Sequence, residues 1–134
     1  KLAKELKKYV TILFERNKAE YFKKFNTLLR KTDILWTKPS ELSFYTALGL
    51  PIVIAPPIGS QEDFNQQWLV YLGGGINQEN PKFVCQWLFD WIDSGRLAEA
   101  AAQGFLEAPK NGCSNIQRYL ASGNNRDIIN SIMV

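Results

Sequence analysis

The run PIVIA at residues 51–55 constrains the fold more than any other stretch of the chain. It carries no charge, and its centre is a row of three large aliphatic side chains, Ile52, Val53 and Ile54. Gly49 precedes the run where a left-handed residue can end a helix, and a proline pair follows it. An unbroken apolar run of this length is typical of a parallel strand that helices cover on both faces.

The segments before this run show the same alternation of strand and helix. Residues 10–14 (VTILF) and 33–37 (DILWT) have the β-branched and aromatic content of strands. Apolar residues that recur at intervals of three and four predict a helix over residues 19–30. Strands and helices in strict alternation predict an α/β fold, a Rossmann-like parallel sheet flanked by helices.

Two helix starts are predicted from capping residues. Pro39 and Ser40 suit the entry of a helix, with the serine oxygen as its cap. Ser60 and Asp63 have the spacing of a capping box, and glycines 73–75 end the helix that follows. Cys85 and Cys113 are predicted to be reduced and buried.

The C-terminal part is predicted to be helical. An aromatic-rich helix runs from Pro81 to about residue 94, and residues 96–134 form helices that break at residues 109–112 and 122–125. The predicted organisation is a single domain over residues 1–134, with strand and helix alternating over 10–94. Three strands are few for such a sheet, so strands upstream or in another chain are expected to complete it.

Composition narrows the classes of function. The chain has 134 residues, a formal net charge of +3 and no histidine. That charge is too small to indicate nucleic-acid binding, and the basic residues of the first third read as a solvated helix face. No apolar run is long enough for a membrane span, and a cytoplasmic location is expected. Without histidine, a base must come from a carboxylate or from another chain.

Three loops that follow predicted strands, at residues 15–17, 38–41 and 57–62, are the candidate ligand sites, because open α/β sheets bind ligands at the carboxyl ends of their strands. Lys38, Ser40 and Glu41 combine a cation, a hydroxyl and a helix start, which suits a phosphate. Gln61 and Glu62 offer an amide beside a carboxylate, which suits sugar hydroxyls. The alternative is that Ser40 only caps a helix and that the acids are ordinary first-turn residues.

The stretch over residues 10–72 resembles the nucleotide-sugar-binding half of GT-B fold glycosyltransferases, a class that includes the peptidoglycan lipid N-acetylglucosaminyltransferase and many UDP-glycosyltransferases. The resemblance rests on the ordered string DILWTKPSE, ALGLP, PIVIAP and QE followed by Asn65. It implies that Lys38, Ser40 and Glu41 hold the donor diphosphate and that Gln61 and Glu62 recognise the donor sugar.

The sequence departs from that family at three positions. Many members have glycine at the position of Lys38, and a ribose-binding glutamate at the position of Phe44, where Glu41 is the nearest substitute. The second residue of the sugar-binding pair is usually glutamine, and here it is Glu62.

The resemblance predicts the donor-binding part of a glycosyltransferase, which transfers a sugar from a nucleoside diphosphate to an acceptor without a metal or other cofactor. The expected partners are the nucleotide sugar and an N-terminal acceptor-binding domain, so this chain alone is predicted to be inactive. A sheet edge or the C-terminal helices would support homo-oligomers. The alternatives are a nucleotide-sugar epimerase of the same fold and a non-catalytic interaction module that has lost the site.

Overall fold

A computed structural model describes residues 10–122 of the chain. The chain divides into two compact units, Lys1–Asp33 and Ile34–Val134, which are described separately below. A single domain over residues 1–134 stays a prediction.

The first unit contains helix α1, Lys18–Leu29. Its N-cap is Asn17, whose side-chain oxygen accepts hydrogen bonds from the amides of Ala19 at 2.9 Å and Glu20 at 3.2 Å. These bonds satisfy first-turn amides that have no partner within the helix. Lys24 donates to the Glu15 carboxylate, and that hydrogen bond, with the attraction of the two charges, raises the pKa of Lys24 above 10.5.

The predicted strand at residues 10–14 is wrong. The segment has no regular secondary structure, and Ile12 and Phe14 are 85% and 75% exposed. β-Branched residues favour an extended backbone, but a strand also needs a hydrogen-bonded neighbour and a surface against which to pack.

The second unit contains a parallel three-stranded sheet of β1 (Leu35–Thr37), β2 (Ile52–Ile54) and β3 (Gly75–Asn77), in that spatial order. The register pairs Leu35 with Ile52 and Ile52 with Gly75. β2 is central, and all three of its residues are buried, which confirms the prediction from the unbroken apolar run. The mixed α/β class with a helix-flanked parallel sheet is also confirmed.

β3 does not look like a strand in the sequence, because it begins with glycine. A Cβ atom on Gly75 would lie 2.6 Å from Cδ2 of Leu69 and 3.0 Å from the carbonyl oxygen of Ile52. Close approach of a helix and a neighbouring strand therefore requires glycine at this strand position.

Helices cover both faces of the sheet. The elements are α2 (Leu42–Ala47), α3 (Ser60–Leu72), the 3₁₀ turn Pro81–Phe83, α4 (Val84–Asp93), α5 (Arg96–Glu107) and α6 (Gly112–Ser122). One face buries Leu42, Ile52, Ile54 and Leu69, and the other buries Val53, Trp87, Trp91 and Leu97. The two clusters follow the alternation of side chains along β2.

Helix α5 packs closely where the chain enters the sheet. Cβ atoms on Gly74 and Gly104 would lie 2.8 and 2.9 Å from Cγ2 of Thr46, which is fully buried near the end of α2. Gly73 ends α3 with a φ of 79°, a left-handed conformation that suits glycine. The amino ends of the strands are thus covered, and the opposite, carboxyl ends lead into loops.

Both predicted serine caps are wrong. The N-cap of α2 is Glu41 and that of α3 is Gly59, and neither helix has a side-chain capping hydrogen bond. The α3 start is instead stabilised by Glu62, which accepts from the amide of Ile58. A carboxylate within the first turn can satisfy a free amide as well as a cap residue can.

The predicted burial of the cysteines is also wrong. Cys85 and Cys113 are free and exposed, because each lies on the solvent side of its helix. The aromatic helix after Pro81 is confirmed as the 3₁₀ turn and α4, and the break near residue 110 separates α5 from α6. The predicted break at residues 122–125 lies mostly outside the described residues. Over residues 10–122, no helix is long and apolar enough to cross a membrane.

Candidate functional site

Three loops leave the sheet at its carboxyl edge, and one helix connects them. Because the strands are parallel, the residues after β1, β2 and β3 emerge on the same side. In the first two turns of α3, Glu62 contacts the loop after β2 and Asn65 contacts the loop after β1. Gln66 contacts Asn77, the last residue of β3. Their spacing of three and four places them on one side of the helix. These turns form the centre of the candidate site.

The sequence-predicted residues Lys38 and Glu62 come together at this edge. The Glu62 carboxylate accepts a hydrogen bond from the amide of Ile58 at 2.8 Å, and the same oxygen lies 3.9 Å from Nζ of Lys38. The two side chains are 43% and 25% exposed. A pair with this exposure contributes little to stability, about 0–1 kcal/mol. Its consequence is geometric, because it brings a cation from the loop after β1 close to a carboxylate from the first turn of α3.

Asn65 fixes the loop after β1 to helix α3. Its side-chain nitrogen donates to the carbonyl oxygens of Pro39 and Ser40, both at 3.0 Å. Pro39 is fully buried, so packing of its ring also holds the loop in place. The position of Lys38 relative to Glu62 therefore follows from hydrogen bonds and packing as well as from the charges themselves.

Ser40 and Glu41 lie in the first loop, where Ser40 is exposed and its amide donates to the carbonyl of Lys38 at 2.8 Å. This bond uses the Ser40 amide within the loop. The Ser40 hydroxyl makes no capping bond, and Glu41 presents an exposed carboxylate at the start of α2. The groups that face solvent from this loop are thus the ammonium, a hydroxyl and a carboxylate.

Gln61 is exposed in the first turn of α3, next to Glu62. Its amide makes no hydrogen bond to another residue of the described part of the chain, so both its donor and its acceptor face solvent. Phe44, the residue that replaces the family's glutamate, is 56% exposed and contacts the ring of Tyr45 edge-on at 5.4 Å between centroids. Glu41 precedes Phe44 by three residues and lies on the neighbouring turn.

The third loop contributes polar residues that the sequence reasoning missed. The indole N–H of Trp36 in β1 donates to the Gln78 side chain at 2.8 Å, and Gln66 donates to Asn77, also at 2.8 Å. The run NQEN at residues 77–80 is a signal of polar loop residues. It could be placed at the sheet edge only after Gly75–Asn77 was recognised as a strand.

Within the described residues, no three His, Cys, Asp or Glu side chains lie close enough together to hold a metal ion. The side-chain groups that the candidate site offers to a ligand are one ammonium, two carboxylates, one hydroxyl and several amides. This set can bind a ligand that combines an anionic group with hydroxyls.

Comparison with curated proteins and with solved structures gives no match. A protein-family model matches residues 1–101, a range that includes all three loops of the carboxyl edge. Because this range covers well over half of the 134 residues, the chain belongs to the family described as a domain of unknown function, DUF6938.

Proposed function

We propose that the carboxyl edge of this sheet binds a nucleoside diphosphate sugar and that the chain is the donor-binding part of a glycosyltransferase. The observation that carries the proposal is the meeting of Lys38 and Glu62 from separate loops, with Nζ and Oε2 3.9 Å apart. A sugar nucleotide needs a cation for its diphosphate and hydrogen-bonding groups for its hydroxyls within a few ångströms of each other. The sequence resemblance to GT-B enzymes gives the same division of roles.

The diphosphate would lie beside Lys38, with the Ser40 hydroxyl as a second donor. In transfer, the bond from the sugar to the diphosphate breaks and negative charge grows on the departing diphosphate. A preorganised ammonium stabilises that charge, since it needs no rearrangement as the charge develops. Helix α2 is short, with six residues, and the Ser40 amide is used in the loop, so Lys38 is the main source of positive charge here.

The sugar would lie beside Gln61 and Glu62, in the first turn of α3. The free amide of Gln61 can donate and accept, and the carboxylate of Glu62 accepts from hydroxyls. Glu41 would accept from the ribose hydroxyls, in place of the glutamate that Phe44 replaces. The chain's contribution to catalysis is then orientation of the donor and stabilisation of the leaving group.

The test is calorimetric titration of the intact protein with a panel of nucleotide sugars that differ in base and sugar. One of them should release heat. A Lys38→Ala, Gln61→Ala variant should bind it roughly 30- to 2,000-fold more weakly, since a charge-assisted hydrogen bond contributes about 1.5–3 kcal/mol and a neutral one about 0.5–1.5 kcal/mol. The matched control is Lys31→Ala, Gln67→Ala, which removes the same residue types at exposed positions outside the loops. No heat with any nucleotide sugar would refute the proposal.

A second candidate, a non-catalytic interaction module, is favoured by exposed apolar groups at the same edge. Phe44, Ile58 and Phe64 are 56%, 81% and 70% exposed, and all three belong to its loops or first helical turns. Such groups suit a protein partner. This candidate predicts that Ile58→Ser with Phe64→Ser abolishes cellular function, while Lys38→Ala with Gln61→Ala leaves it unchanged.

A further inference from the structure

We infer that Glu62 makes the site selective for an intact sugar nucleotide over the free nucleoside diphosphate. The inference rests on the proposed function and adds a specificity-determining role for one residue. Glu62 places a carboxylate 3.9 Å from the ammonium of Lys38, where the proposed diphosphate would bind.

The carboxylate of Glu62 is held close to Lys38. Oε2 of Glu62 accepts from the Ile58 amide at 2.8 Å, and the side chain is only 25% exposed. This hydrogen bond and the partial burial favour the position of the carboxylate beside Lys38. Any group that binds the ammonium of Lys38 comes close to this negative charge, because the two groups are 3.9 Å apart.

The free nucleoside diphosphate and the sugar nucleotide differ in charge. The terminal phosphate of a free nucleoside diphosphate has a second pKa of about 6, so it carries roughly one more negative charge at pH 7 than a diphosphate esterified to a sugar. The additional charge lies on the terminal phosphate, at the end where the sugar was attached. It would be repelled by Glu62, whereas sugar hydroxyls would donate to Glu62.

Glu62 should therefore have opposite effects on the binding of the free diphosphate and of the sugar nucleotide. Removing the charge of Glu62 should tighten the binding of the free diphosphate and weaken that of the sugar nucleotide. In the enzyme, this selectivity would lower inhibition by the product that remains after transfer.

The test compares the intact wild-type protein with Glu62→Gln and with a control, Glu79→Gln. Glutamine is close in shape to glutamate and can still accept from the Ile58 amide. Glu79→Gln removes the same charge from an exposed position in the loop after β3, and the structure shows Lys38 paired with Glu62 and not with Glu79. Dissociation constants are measured for UDP with UDP-glucose and for ADP with ADP-glucose. Thermal unfolding checks that all three proteins are folded.

Glu62→Gln should change the ratio of the two dissociation constants by about three- to tenfold in favour of the diphosphate, the size expected for partly exposed charges several ångströms apart. Glu79→Gln should change the ratio less than twofold, because solvent and salt screen an exposed charge that is not paired with Lys38. Equal changes in both variants, or no change in Glu62→Gln, would overturn the inference while leaving the proposed function standing. If no member of the panel of nucleotide sugars described above binds the wild-type protein, the proposed function fails and the inference fails with it.

Discussion

Replacement of Gly104 by alanine tests how closely α5 packs against α2. A Cβ atom at residue 104 would lie 2.9 Å from Cγ2 of Thr46 and 3.2 Å from its carbonyl oxygen. Thr46 cannot easily move, because it is fully buried and its hydroxyl donates to the carbonyl of Leu42 at 2.7 Å. The added methyl group would therefore meet a fixed side chain and a backbone atom.

Two effects of opposite sign determine the result. Alanine is favoured over glycine inside a helix by about 1 kcal/mol. Overpacking of a tight contact costs about 1–3 kcal/mol, and the upper half of that range applies where the neighbours are fixed. The net expectation is a loss of about 1–2 kcal/mol in the free energy of unfolding, or roughly 3–8 °C in Tm.

The assay is urea unfolding followed by tryptophan fluorescence, since Trp87 and Trp91 are buried. Gly112→Ala is the control, because a Cβ atom there has no neighbour within 4 Å. Thr46→Ser keeps the hydroxyl and removes Cγ2, so Gly104→Ala should cost less in that background. A Gly104→Ala protein that is about 1 kcal/mol more stable than wild type, as helix propensity alone would give, would refute the packing argument.

Three further predictions concern individual hydrogen bonds. Asn65→Ala should cost about 1–3 kcal/mol in urea unfolding, because it leaves two loop carbonyls without their donor, whereas Gln67→Ala on the same helix should cost less than about 0.5 kcal/mol; equal losses would contradict this. Trp36→Phe removes the indole hydrogen bond across the sheet edge and should cost about 0.5–1.5 kcal/mol, and an unchanged unfolding midpoint would count against it. Glu15→Gln should lower the pKa of Lys24 in an NMR titration, because the Glu15 carboxylate raises it; the contribution of that pair to stability is present below the ordinary lysine pKa of 10.5 and is lost as the pH rises through the raised value. A lysine pKa that does not change in the variant would show that the pair does not form.

The elements predicted correctly are those with strong local signals. β2 is marked by its apolar run between a glycine and two prolines, and β1 and helices α1, α3 and α4 follow from periodicity. The errors arise where the outcome depends on distant residues. Residues 10–14 have the composition of a strand but pair with no neighbouring strand in the described part of the chain. Gly75 lies in a strand although its sequence does not look like one, and the close approach of Leu69 in α3 requires glycine at that position.

The candidate site divides in a similar way. The sequence identifies Lys38, Gln61 and Glu62 as polar residues after strands, and so predicts the types of chemical group at this edge. It wrongly suggests that Ser40 caps a helix, whereas the Ser40 hydroxyl makes no capping hydrogen bond. It also does not show that Asn65 ties the loop after β1 to helix α3, because those bonds join residues 25 and 26 positions apart.

The sequence by itself determined the alternation of strand and helix around β1 and β2, the coverage of the PIVIA strand on both faces and the kinds of side chain that follow these two strands. These properties depend on backbone preferences and on hydrophobic period, which act over a few residues. Only the tertiary structure decided that β3 is a strand, that α5 covers the amino ends of the sheet and that Lys38 and Glu62 lie 3.9 Å apart. Those outcomes depend on which surfaces can approach closely, and the close contacts at Gly74, Gly75 and Gly104 are made between segments far apart in the chain.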